Sequence, residues 1–99
     1  MTTSKSTEQF IRGLQNIERD IIKKLRDSGF NIDASNFVWH RGKDFIPPPS
    51  AIELEIKFQG RTANAVLSRE QVEDSWDRLD RSDVVVLNRA LVADIAKRG

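Results

Sequence analysis

Apolar residues in the first third of the chain recur with a helix period. Phe10, Leu14, Ile17, Ile21 and Leu25 are spaced 4, 3, 4 and 4, and Ile11 and Ile22 widen the stripe. Such intervals gather them on one face of an α-helix. The pattern predicts a helix within residues 6–30. Ser6 with Gln9 has the form of a capping box, with Glu8 in the first turn. Lys23, Lys24 and Arg26 sit near its negative end, and Gly29 supplies a left-handed stop. About 22 residues at ~1.5 Å each make a rod of ~33 Å. That length spans a whole sheet or offers part of the stripe to a partner.

The period then changes. "NIDASN" (31–36) is turn-rich, and "FVWHR" (37–41) reads as a short strand with Phe37 and Trp39 on one face. "GKDFIPPPS" comes next. Its three prolines cannot donate to a sheet and favour an extended, stiff spacer. From 51 to 58, Ile52, Leu54, Ile56 and Phe58 alternate with Glu53, Glu55 and Lys57, and Gly60 marks a hairpin turn. A two-residue loop at Gln59–Gly60 pairs Phe58 with Arg61, Ile56 with Ala63, Leu54 with Ala65 and Ile52 with Leu67. A loop at Gly60–Arg61 shifts each partner by two. Either way the apolar face meets Ala63, Ala65 and Leu67, where small alanines leave room for a helix.

"SREQVEDSWDRLD" (68–80) opens with a second capping-box pattern, Ser68 and Gln71. Val72, Trp76 and Leu79 form an i, i+4, i+7 stripe, which predicts a helix with Trp76 in the core. Asp74–Arg78 and Asp77–Arg81 are then i,i+4 ion pairs. Asp80 or Ser82 is the expected N-cap of the final segment. Residues 84–99 admit two readings. Three valines favour a strand at 83–87, then a helix capped by Asn88. The spacing of Val84, Leu87, Leu91 and Ile95 favours one helix from about 83 to 97, which we take.

The expected fold is α+β: a long N-terminal helix, a three-stranded antiparallel sheet and two C-terminal helices packed on one sheet face. Ninety-nine residues suit a single domain, 1–99, with the polar start "MTTSKS" read as an unstructured tail. The long helix and the sheet edges make a homodimer an expectation too.

Composition narrows the function. With no cysteine, disulfides, thiol nucleophiles and thiolate metal sites are excluded. No apolar run is longer than the four residues of "VVVL", so we expect neither a signal peptide nor a membrane span, and a cytoplasmic protein. A net charge of +1 is low for a dedicated nucleic-acid binder.

"IELEIKFQGRTANAVLSREQVED", followed by a polar spacer and "LNRALVADIAKR", resembles a group of small uncharacterised bacterial domains. Those have a hairpin, a helix opened by Ser-x-Glu and a closing helix with an Arg near its middle. The resemblance covers the C-terminal half. It implies a bacterial or phage source and an α+β fold, and it implies no activity.

Candidate chemistry is sparse. There is no Gly-rich phosphate loop, no metal-ligand cluster and no nucleophile motif, so no catalytic residue, metal or cofactor is expected. His40 is the only histidine, with Asp44 four residues on. One histidine without a nucleophile is a weak basis for catalysis. Glu53, Glu55 and Lys57 read as the solvated side of a hairpin. Residues 68–83 hold six acids against three bases, which suits an acidic surface and disfavours a DNA-reading helix. Trp39, His40, Arg41 and Lys43 are the candidate binding residues, because Trp and Arg dominate protein hot spots. The same groups can stack a base and hold a phosphate. We therefore expect a non-enzymatic protein-binding module, a regulator or inhibitor of a larger assembly. The alternative is a nucleic-acid-associated protein using the 39–43 loop with Lys23, Lys24 and Arg26.

Overall fold

The structure, a computed structural model, describes residues 5–40 and 50–96. The proline loop, with Arg41, Lys43 and Asp44, lies outside the described residues. Helix α1 spans Lys5–Asp27 and buries Phe10, Leu14, Ile17, Ile21 and Leu25. It starts at Lys5, so Ser6 is a helical residue rather than the expected cap. Gly29 ends it with φ +95°, and the Phe30 N–H donates to the Leu25 carbonyl at 3.0 Å. The Arg26 Nε then reaches the Ile32 carbonyl, which fixes the exit of the chain.

A 3-10 turn at Ala34–Asn36 turns the chain into the sheet. Asp33 caps this turn, and Asn36 Nδ2 donates to the Lys57 carbonyl at 2.8 Å. Strands β1 (Phe37–Trp39), β2 (Ala51–Phe58) and β3 (Arg61–Ser68) pair antiparallel in the order β1-β2-β3. The register pairs Phe58 with Arg61 and Ile52 with Leu67, so the loop is Gln59–Gly60. Both loop residues have positive φ, 50° and 79°. That is the primed turn whose twist matches the strands. Burial alternates strictly along β2, with Ile52, Leu54, Ile56 and Phe58 inside.

The capping box at Ser68 forms as the residues imply. Gln71 N–H donates to Ser68 Oγ, and Ser68 N–H donates to Gln71 Oε1. Helix α2 then covers only Arg69–Glu73, not the predicted run to 80. Residues 74–77 are weak helix formers, and Asn16 Nδ2 of α1 donates to the carbonyls of Ser75 and Trp76, both at 2.8 Å, where the helix stops. With no helix there, the i,i+4 pairs are replaced. Arg81 binds Asp74 at 2.6 Å and Asp83 at 2.8 Å, while Arg78 binds Asp80.

Helix α3 is continuous over Ser82–Ala96. Residues 83–87 are therefore helical, because Val84, Asn88, Leu91 and Ile95 all face inward on one stripe. Neither Asp80 nor Ser82 is its N-cap: the helix begins at Ser82, and the Val85 N–H bonds the Arg81 carbonyl. One core joins the α1 stripe, the inner sheet face, Val72, Val84, Leu91 and Ile95. Among the described residues, no helix is long and apolar enough to cross a membrane.

Candidate functional site

Strand alternation separates the two described residues of the sequence-predicted site. Trp39 is half-buried against the core, and its indole Nε1 donates to Glu18 Oε2 of α1 at 3.2 Å. His40, the next residue, is exposed on the outer face of the sheet. Its Nε2 lies 2.6 Å from Glu55 Oε1, with Lys57 Nζ 3.8 Å from the same oxygen. The pleat thus turns these two side chains to opposite faces. His40 takes Glu55 of β2 as its acidic neighbour.

The Trp39–Glu18 clasp has a cost at neutral pH. Burial raises the Glu18 pKa from its usual value of 4.5, and the indole N–H only partly offsets this. A raised carboxyl pKa means the folded state binds the proton more tightly. The resulting stability is fully present below about pH 4.5 and is lost as pH rises through the folded pKa. Glu18→Gln keeps an acceptor for Trp39 and carries no charge. It should raise the urea midpoint at about pH 7 and leave it nearly unchanged at about pH 4. Equal midpoints at both pH values would show that the carboxylate is not desolvated.

The loop after α2 builds a different site. Trp76 is 39% exposed, in contrast to its expected place in the core. The stripe Val72, Trp76, Leu79 assumed a helix through 80. Once α2 stops at Glu73, Val72 stays buried while Trp76 turns outward. The low helix propensity of Asp74, Ser75 and Asp77 was the signal available in the sequence.

Trp76 lines an open cleft of about 410 Å³. Glu73, Asp74, Asp77 and Asp80 surround it with Arg78 and Arg81, and Gln9 of α1 lies opposite. Arg81 holds the wall rigid by bridging Asp74 and Asp83. Gln71 first, and then Arg81, keep the Asp83 carboxyl below the usual carboxylate range. Asp77 has no ionic partner among the described residues. The cleft is therefore acidic, polar and ordered, with one aromatic surface.

A second cleft of about 260 Å³ lies between α1 and the same loop, edged by Arg19, Lys23 and Arg78 with Leu79. Arg12, Arg19, Lys23 and Arg26 all fall on one exposed stripe of α1. Lys24 belongs to another face and is tied to Asp20 at 2.7 Å. Among the described residues, no group of three or more His, Cys, Asp or Glu is arranged to hold a metal ion.

No protein-family model, no curated protein and no solved structure matches the chain.

Proposed function

We propose that this chain is a small non-enzymatic protein-binding module, and that the Trp76 cleft is its contact surface. The supporting observation is the exposure of Trp76 among carboxylates, on a loop that Asn16 and Arg81 hold in place. A Lys or Arg of a partner gains twice there: from the indole face, and from the acidic wall. On this reading the helices cover the inner sheet face, and the module acts on a larger assembly by occupying a basic segment of it.

The test is affinity capture on immobilised chain, with mass-spectrometric readout. Wild type should retain a protein that survives nuclease treatment. Trp76→Ala combined with Asp77→Lys should lose it while the far-ultraviolet circular dichroism stays unchanged. Undiminished capture by that double variant would sink the assignment.

A nucleic-acid reading is favoured by one observation, the basic stripe from Arg12 to Arg26, about 21 Å long at ~1.5 Å per residue. It predicts that nuclease abolishes capture, and that Arg19→Glu with Lys23→Glu abolishes it equally.

A further inference from the structure

We propose that the free edge of β3 pairs with the same edge of a second copy of this chain, joining two three-stranded sheets into one of six strands. The backbone is the first reason. In the hairpin, Arg61, Ala63, Ala65 and Leu67 lie opposite Phe58, Ile56, Leu54 and Ile52. A two-residue loop makes these the pairs that exchange hydrogen bonds, so the N–H and C=O groups of Thr62, Asn64, Val66 and Ser68 point away from β2. Two contacts agree with this phase: Arg69 N–H bonds the Ser50 carbonyl, and His40 N–H bonds the Glu53 carbonyl on the other side of β2. The Ser68 N–H is already taken by Gln71. Thr62, Asn64 and Val66 remain, and no strand lies beyond them among the described residues. Helix α3 packs against β3, with Arg61 Nη1 on the Ile95 carbonyl of its last turn, and the backbone groups of its middle turns are used within the helix.

The edge is complementary to itself. An antiparallel pairing centred on Asn64 sets Asn64 against Asn64, and Thr62 against Val66 of the second copy, twice. Every outward N–H and C=O of those three residues then finds a partner. Side chains agree as well. "TANAVLS" (62–68) has no charge and no proline, so this edge lacks the usual devices that keep strand edges apart. No like charges are set beside each other across the join. On the inner face Ala63 meets Ala65 of the second copy, and both are small.

Helix α3 is the second reason. Val86 is 64% exposed, and Ala90 and Ala93 continue the same outward stripe at i+4 and i+7. A two-fold axis at Asn64 is perpendicular to the sheet. It places both α3 helices antiparallel on one side of the joined sheet, so each helix can lay this stripe toward the other. Val66, 66% exposed on the opposite face, is partly covered by Thr62 of the second copy. The occupant is therefore a second copy rather than a charged peptide, which would find no ion-pair partner along this edge. The β3 edge is separate from the Trp76 cleft, which lies on another loop.

Light scattering coupled to size exclusion, over micromolar to millimolar chain, reads the association directly. Wild type should approach twice the chain mass at the upper end. Asn64→Pro removes an outward N–H, which edge strands tolerate, and one exposed side-chain contact to Glu53 Oε2 at 3.5 Å. It should return the mass to one chain with the circular dichroism retained. Amide exchange on the wild type needs no variant: Thr62, Asn64 and Val66 should gain protection as concentration rises. A chain that stays monomeric throughout, or a dimer whose three edge amides exchange freely, overturns the proposal. So does a folded Asn64→Pro chain that still dimerises.

Discussion

Gly13→Ala should lower the unfolding free energy by about 3 kcal/mol, the upper end of what inserting one methyl into a packed site costs. The usual expectation has the opposite sign, since alanine in a helix interior is favoured over glycine by about 1 kcal/mol. The structure reverses it through one contact. A Cβ at Gly13 would stand 1.8 Å from the Val72 carbonyl oxygen and 2.7 Å from its carbon. These are backbone atoms of α2, so no side-chain rotation relieves the clash. The helices must separate. Three residues along α1, Asn16 then loses its hold on the Ser75 and Trp76 carbonyls. A loss of about 3 kcal/mol is a large share of the ~5–15 kcal/mol that stabilises a domain of this kind. Denaturant unfolding measures the loss directly. A rise in midpoint would mean that α2 does not rest on Gly13. The variant should also weaken capture at the Trp76 cleft, because that loop hangs from the same contact.

Asp20→Ala should cost about 2 kcal/mol, within the range for leaving a buried polar group unpaired. Asn88 is 1% exposed on α3, and its Nδ2 donates to Asp20 Oδ2 of α1 at 2.9 Å. Its Oδ1 has no hydrogen-bond partner among the described residues. Asp20 also receives Lys24 at 2.7 Å. Removing Asp20 strands both ends of the Asn88 amide in the core. Asn88→Leu alone should be nearly neutral: it replaces an amide that is already half-satisfied by apolar volume, and Asp20 keeps Lys24. The double variant should recover most of the loss. A double-mutant cycle by urea unfolding checks all three numbers. A neutral Asp20→Ala would show that the α1–α3 link carries no energy.

Trp39 and Trp76 explain how far the candidate site was readable. Trp39 and His40 are adjacent in sequence, and adjacency suggested one surface. A strand sends neighbours to opposite faces, so the clasp with Glu18 and the pair with Glu55 are separate features. Trp76 failed in the other direction. Its helical spacing to Val72 and Leu79 was real, but spacing locates a side chain only while the helix lasts. Residues 74–77 are weak helix formers, and Asn16, 60 positions away from Trp76, takes up the carbonyls released where the helix stops. No local pattern near 76 contains that bond.

The elements were legible wherever a short-range rule acts alone. The α1 stripe, the Gly29 stop, the strict alternation of β2, a hairpin turn at Gly60 and the Ser68–Gln71 cap all rest on residues within a turn or a strand of each other, whereas the choice of Gln59–Gly60 over Gly60–Arg61 as the loop came from the observed register. Their geometry comes from backbone sterics and the partition of apolar groups from water, which the linear order already encodes. The continuous α3 stood between two readings, and the burial of Val84, Asn88, Leu91 and Ile95 in one core decided it. Only the tertiary structure could set the length of α2, the outward turn of Trp76, the approach of Val72 to Gly13 and the pairing of Asn88 with Asp20. Each is a contact between segments far apart in the chain, and packing them together settles which local preference is kept.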